Sequence, residues 1–169
     1  MKKLFIAGLF LFTVVSLSAQ TKINKTSVIG KWTPTIIKIA GPLNFSYDFE
    51  KDSLVIDSVM KAQMDSAMKA QGKDTISRTA FIAGLDSFSK MFFQFNADGT
   101  AIIDWGMQGS LSHVTYRVDE ENSTIPFTDR YKHDDIMKAE MIKDKLRLVL
   151  KLPDLNNAEM IVTLKKATN

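Results

Sequence analysis

From Lys90 onward, the chain is a succession of short apolar runs separated by compact polar turns. Seven runs follow one another: "MFFQF", "TAIIDW", "SLSHVTYRV", "TIPFT", "DIMKAEMI", "LRLVLKL" and "EMIVTLKK". Runs of this length, rich in β-branched and aromatic residues and closed by Asn, Asp or Gly, are typical of antiparallel strands joined by hairpins. The pattern therefore predicts a meander of seven strands.

The stretch "FFQFNADGTAII", residues 92–103, shows this rhythm most clearly. Asn96, Asp98 and Gly99 tolerate positive φ or bond their own backbone, so they predict a tight turn between two strands. Because side chains alternate along a strand, Phe93 and Phe95 share one face and Phe92 lies on the other. We expect Phe93 and Phe95 to face the core.

An earlier run, "VIGKWTPTIIKIAG", predicts strand one at about residues 29–40. Pro34 within it indicates an edge position or a bulge, because proline cannot donate to the ladder. Eight antiparallel strands leave two unpaired edges unless the sheet closes on itself. The predicted fold is therefore mainly β, an eight-stranded antiparallel up-and-down barrel.

The segment "DSLVIDSVMKAQMDSAMKAQGK", residues 52–73, changes period and predicts a helix pair between strands one and two. Its apolar residues recur every four positions, which is typical of an amphipathic helix that ends at Gly72: Ile56, Met60, Met64 and Met68. A second helix, capped by Asp74 or Thr75, places Phe81, Leu85 and Phe88 on one face. The preceding loop, residues 40–52, leaves open whether "NFSYDFE" adds a short strand.

The first nineteen residues have the layout of a secretory signal peptide. Lys2 and Lys3 precede an uncharged apolar run from Leu4 to Val15, and small residues follow before Gln20. The run is well short of the ~20 residues that span a bilayer, so a retained membrane anchor is the weaker interpretation. We expect cleavage after Ala19 or one residue earlier, export to the periplasm or the medium, and a single domain over residues 20–169.

Charge and cysteine content narrow the functional classes. The leader carries two lysines and no acid, so its removal lowers the formal net charge from +3 to +1. A near-balanced, interleaved charge does not predict binding to nucleic acid or to an anionic membrane surface. The chain has no cysteine, which excludes disulfides, thiolate nucleophiles, cysteine metal sites and a lipid anchor on cysteine.

Motifs for catalysis or metal binding are missing from the sequence. There is no nucleophile elbow, no phosphate-binding glycine loop and no His-Glu helix motif. His113 and His133 match no ligand spacing, and Asp104 is either a solvated surface carboxylate or an acid facing a polar lumen. We predict a protein that is not an enzyme and has no metal or cofactor.

Gly30, Lys31 and Trp32 form a Gly-x-Trp at the start of strand one. Together with "FNADGT" and "YRVDEENSTI", this motif resembles the lipocalin-like (calycin) domains of secreted bacterial proteins over residues 28–166. The resemblance implies that Trp32 plugs one end of the barrel and that the barrel holds a small apolar ligand. The second lipocalin motif, a Thr-Asp-Tyr turn, is not visible. In the fatty-acid-binding branch of the same superfamily, an arginine and a tyrosine two residues apart hold the carboxylate of the ligand. Here Tyr116 and Arg117 are adjacent and point to opposite faces of the strand, so the resemblance does not carry that site over to this chain.

Strand alternation predicts an apolar interior as the binding site. The candidate lining residues share inward faces: Met91, Phe93, Phe95, Val114, Tyr116, Leu148 and Leu150. The methionine stripe of Met60, Met64 and Met68 is either an adaptable lid or partner face, or a seal over one end of the barrel. The leading prediction is an exported binding protein for a small hydrophobic or amphipathic ligand. The alternative is a solid-cored accessory domain that meets another protein.

Overall fold

A computed structural model describes residues 20–42, 44–70 and 78–168 of the chain. These residues form a closed, eight-stranded antiparallel β-barrel with additional strands at its margins. The strands are β1 (Gln20–Thr21), β2 (Gly30–Ala40), β3 (Phe45–Asp48), β4 (Ser53–Ile56), β5 (Phe92–Phe95), β6 (Thr100–Asp104), β7 (Ser112–Tyr116), β8 (Thr124–Asp129), β9 (Asp134–Ile142), β10 (Lys145–Leu152) and β11 (Ala158–Lys166). The helices are α1 (Lys25–Val28), α2 (Ser58–Ala70), α3 (Arg78–Ser89) and a 3-10 turn (Pro153–Leu155).

The barrel closes because β11 pairs with β2. From β5 to β11 each strand pairs antiparallel with the next, as the meander pattern predicted, and β2 joins β5 to β11. The inward side chains alternate with outward ones, so the buried residues of all eight strands meet in one core. The prediction of a closed antiparallel barrel is confirmed.

Pro34 marks the place where β2 changes partner. Gly30 to Trp32 pair with β5, whereas Ile36 to Ile39 pair with β3. On the opposite edge, the register with β11 shifts where Leu164 faces Pro34, which is the bulge that the proline indicated. Thr35 is fully buried there and donates its hydroxyl to the carbonyl of Thr163 at 3.1 Å.

The placement of the helix pair between strands one and two is not confirmed as predicted, because the segment also contains two strands. A hairpin, β3–β4, comes first, and α2 and α3 follow it. Ile56, which was predicted on the first helix, lies in β4 and pairs with Phe45. The helix instead begins at Ser58, and the Asp57 carboxylate accepts the Met60 N–H at 2.6 Å. The "NFSYDFE" segment therefore does add a strand, β3, and hairpin pairing overrides the four-residue spacing of Ile56.

The hairpin at residues 92–103 forms as predicted. Gly99 has a φ of +88°, and the Asp98 carboxylate accepts the Thr100 N–H at 2.9 Å.

Within the described residues, the helices are too short or too polar to cross a lipid bilayer. The predicted signal peptide, the caps Asp74 and Thr75 and the terminator Gly72 lie outside the described residues.

Candidate functional site

The seven predicted lining residues lie together in the barrel interior. All are buried and belong to one apolar cluster: Met91, Phe93, Phe95, Val114, Tyr116, Leu148 and Leu150. Their rings contact one another, since the Phe95 and Tyr116 centroids are 5.0 Å apart and those of Phe93 and Phe95 are 6.5 Å apart. Side chains that pack ring to ring in this way form part of the core.

Trp32 lies at the end of the barrel that α1 covers. It is buried, and its indole N–H donates to the carbonyl of Val28, the last residue of α1, at 2.7 Å. The Nζ of Lys166 lies 5.5 Å from the ring centroid, close enough for a cation–π contact. α1, Trp32 and Lys166 lie together at this end of the barrel, and α3 enters β5 at the opposite end.

A cleft of about 470 Å³ lies between the β3–β4 hairpin and α3. Tyr47 and Phe49 of the hairpin form one wall, and their rings meet edge to face at 4.9 Å. The α3 wall consists of residues spaced i, i+3, i+4 and i+7, which share one helix face: Ile82, Leu85, Asp86 and Ser89. We call this space the hairpin cleft.

The floor of the hairpin cleft belongs to the core and its walls reach solvent. Tyr47 and Leu85 are buried members of the apolar cluster, whereas Phe49 and Ile82 are half-buried against it. The Tyr47 hydroxyl donates to the Asp52 carboxylate at 2.6 Å, which fixes the ring that forms the floor. The cleft is therefore apolar inside, with polar groups at its edge from Asp86 and Ser89.

The hairpin wall is fastened to the barrel at its tip. The Phe49 N–H donates to the Thr35 carbonyl at 2.8 Å. Next to it, the Glu50 carboxylate accepts from the Nζ of Lys165 and from the Nζ of Lys145, each at 2.9 Å. Hydrogen bonds from Lys165 and Lys145 lower the pKa of Glu50 from its ordinary value of 4.5 to about 2. The wall that carries Phe49 is thus held by a double ion pair.

The methionine stripe runs from the core toward the surface. Met60 is buried, whereas Met64 and Met68, further along α2, are half-buried. Phe88 and Leu85 of the second predicted helix face pack on the core, whereas the side chain of Phe81 lies outside the described part. The stripe therefore lies partly on the surface, and its function as lid, seal or partner face stays a prediction.

Two of the ionisable residues discussed for the sequence, Asp104 and His133, have side-chain partners in the structure. The Asp104 carboxylate accepts the Gly106 N–H and the Ser110 hydroxyl, both at 2.8 Å, and so shapes the β6–β7 turn. The His133 Nδ1 lies 3.3 Å from the Asp129 carboxylate on an exposed turn, while His113 is exposed on β7. In the ranges that the structure describes, His, Asp and Glu do not gather in a group that could hold a metal ion.

Sequence reasoning did not single out Tyr47, Phe49, Ile82, Asp86 or Ser89. One signal was present, because Phe45, Tyr47 and Phe49 alternate with polar residues and so indicate one apolar strand face. That the strand faces α3 follows only from the fold.

Comparison with protein-family models, curated proteins and solved structures finds no match to this chain. The lipocalin-like resemblance therefore stays a prediction.

Proposed function

We propose that this protein is an exported, non-enzymatic, lipocalin-like binding protein that holds a small hydrophobic or amphipathic ligand in the hairpin cleft. The observation that carries the proposal is the cleft itself, with apolar walls from two different elements above a buried floor. Its volume of about 470 Å³ falls within the roughly 300–1,000 Å³ of small-molecule sites. Export rests on the leader-like layout of the first nineteen residues.

The shape of the cleft favours an amphipathic ligand. Phe49, Ile82 and Leu85 offer apolar contact, while Asp86 and Ser89 lie on the same helix face one turn further along. A molecule whose apolar body enters the cleft and whose polar end stays at the edge satisfies both regions. Burial of the apolar body supplies the affinity, at roughly 25 cal/mol per Å² removed from water.

The test is native mass spectrometry on protein purified from its own host, followed by titration with the fluorescent apolar probe 1-anilinonaphthalene-8-sulfonate. We expect a co-purifying small molecule that the probe displaces. Ile82→Asn should abolish probe binding, whereas Ile136→Asn, an equal change at an exposed position on β9, should leave it intact. Absence of both ligand and probe binding, or equal effects of the two substitutions, would refute the proposal.

A second function, an accessory domain for a protein partner, is favoured by two exposed valines. Val55 on β4 is 61% exposed and Val59 at the start of α2 is 55% exposed. They lie on consecutive elements, the second strand of the hairpin and the helix that follows it. If these two side chains contact a protein partner, then Val55→Ser with Val59→Ser should weaken partner capture and leave binding of the fluorescent probe unchanged. Loss of probe binding in this double variant would count against a separate partner surface.

A further inference from the structure

A second groove, of about 440 Å³, opens on the outer wall of the barrel on β9 and β10. It forms where β9 exchanges partners, because β8 pairs with β9 as far as Lys138 and β1 pairs with it from Met141. Between these pairings, the Ala139 N–H donates to the Ser123 carbonyl at 2.9 Å. We call this space the outer-wall groove. The lining residues used in the argument are Lys22, Lys138, Glu140, Arg147, Val149 and Glu159.

The centre of the outer-wall groove is electrically balanced. Glu140 and Arg147 are direct cross-strand partners, form an ion pair and are both half-buried. Lys138 and Val149 are the neighbouring cross-strand pair on the same outward face. Val149 is apolar, and the charges of Glu140 and Arg147 neutralise each other. A small molecule can therefore lie on this part of the groove without contacting an unpaired charge of the protein.

Three other charges of the groove lack partners. Within the described part of the chain, neither Lys22 nor Lys138 has an ion pair or side-chain hydrogen bond, and the same holds for Glu159. The two cations and the anion line one groove, yet they do not pair with each other. The groove therefore presents separated positive and negative groups.

Strand geometry gives the separation. Lys138 faces Val149 on β10, which faces Ile161 on β11, and Glu159 lies two residues from Ile161. Two strand spacings of roughly 4.8 Å and two residue steps of roughly 3.4 Å place the Cα atoms of Lys138 and Glu159 about 12 Å apart. Both side chains are long, so their charged groups can contact the two ends of a molecule of dipeptide size.

We propose that the outer-wall groove binds a small zwitterion of about dipeptide length. Its carboxylate pairs with Lys22 and Lys138, and its ammonium group pairs with Glu159. The bound molecule then neutralises the three charges that the protein leaves unpaired, while Val149, which lies between Lys138 and Glu159, supports its middle. This site lies on different elements from the hairpin cleft and does not depend on the function proposed for that cleft.

Isothermal titration calorimetry with three probes tests the proposal: L-alanyl-L-alanine, its N-acetyl form and its C-terminal amide. Each blocked probe lacks one charge, and the loss of one ion pair of about 1.4 kcal/mol corresponds to a tenfold weaker affinity. We expect the zwitterion to bind about tenfold more tightly than either blocked form. Equal affinities, or no binding of any probe, would overturn the proposal.

Substitutions assign each end of the probe. Lys138→Gln should reduce the preference for the free carboxylate, since Lys22 remains, and should keep the preference for the free ammonium group. Glu159→Gln should remove the preference for the ammonium group and keep that for the carboxylate. Lys61→Gln, on an exposed lysine of α2, is the matched control. If Lys61→Gln weakens binding as much as Lys138→Gln, the attraction is general surface charge and the site does not exist. Ile82→Asn should not change dipeptide binding, which separates this result from the test of the hairpin cleft.

Discussion

Truncation of Phe93 to alanine tests the barrel interior most directly. Phe93 has 0% exposure, and its ring lies 6.5 Å from that of Phe95 and 5.3 Å from that of Trp105. Loss of the buried side chain removes about 1.5 to 3 kcal/mol of transfer free energy. The two aromatic contacts add about 0.5 to 1.5 kcal/mol each. Together these contributions come to about 2.5 to 6 kcal/mol. We expect the free energy of unfolding to fall by about 3 to 5 kcal/mol, the part of this interval measured for buried phenylalanines.

Phe92→Ala is the matched control on the neighbouring residue. Phe92 is half-buried on the outward face, where the Nζ of Lys31 lies 4.2 Å from its ring centroid. An exposed cation–π contact contributes about 0.5 to 1 kcal/mol, so with partial burial the loss should be about 1 to 2 kcal/mol. Urea denaturation followed by circular dichroism measures both. Equal losses would mean that both faces of β5 are buried, and a larger loss for Phe92→Ala would mean that the inward face is assigned wrongly.

Three further predictions concern the ends of the barrel. Trp32→Phe leaves the buried Val28 carbonyl without its hydrogen-bond donor. It should lower the free energy of unfolding measured in urea by about 1 to 3 kcal/mol. If the variant is as stable as wild type, the hydrogen bond contributes nothing. Glu50 has a folded-state pKa of about 2 against 4.5, so its contribution to stability is full above pH 4.5 and is lost as pH falls toward 2. Unfolding measured across this pH window should show a shallower acid dependence in Glu50→Gln than in wild type, and identical slopes would contradict the ion pair. Gly106→Ala, at a φ of +76°, places a Cβ 1.7 Å from the Ser87 carbonyl oxygen and should lower the free energy of unfolding by about 2 to 4 kcal/mol. Gly109→Ala has a similar φ of +77° but open space around the Cβ, and it should lower the free energy of unfolding by about 1 kcal/mol. Thermal unfolding compares the two, and equal losses would exclude the contact with α3.

The barrel could be predicted from sequence because most of its strands are short, alternate between buried and exposed positions, and pair with the next strand in the chain. Phe93 and Phe95 illustrate this, since their inward face follows from alternation alone and the structure buries both. Ile56 shows the limit. It fits a helical spacing of four with Met60, yet its backbone pairs with Phe45, and no local pattern of the helix reveals that competing partner.

The two sites were harder to predict than the barrel because each depends on contacts between distant segments. The hairpin cleft joins Tyr47 and Phe49 to α3, more than thirty residues later in the chain. The outer-wall groove depends on the point at which β9 leaves β8 for β1, and strand periodicity does not specify where pairing ends. Alternation assigns faces correctly, but the sequence does not show which outward faces are then partly covered by other segments.

Both walls of the hairpin cleft are fixed by contacts that lie outside the cleft, and this bears on how a ligand would bind. The hairpin wall is held by the bonds of Glu50 to Lys145 and Lys165. The α3 wall is held by the packing of Phe88 on the core. A site whose walls are already placed requires less ordering when it binds, and so more of the contact energy appears as affinity. Glu50→Gln should therefore weaken binding of the fluorescent apolar probe, although Glu50 does not line the cleft. Glu121 is an exposed acid distant from the hairpin in sequence, and Glu121→Gln should bind the probe like wild type. If both variants bind the probe like wild type, the walls hold their positions without the ion pair, and the packing of Tyr47 and Leu85 alone shapes the site.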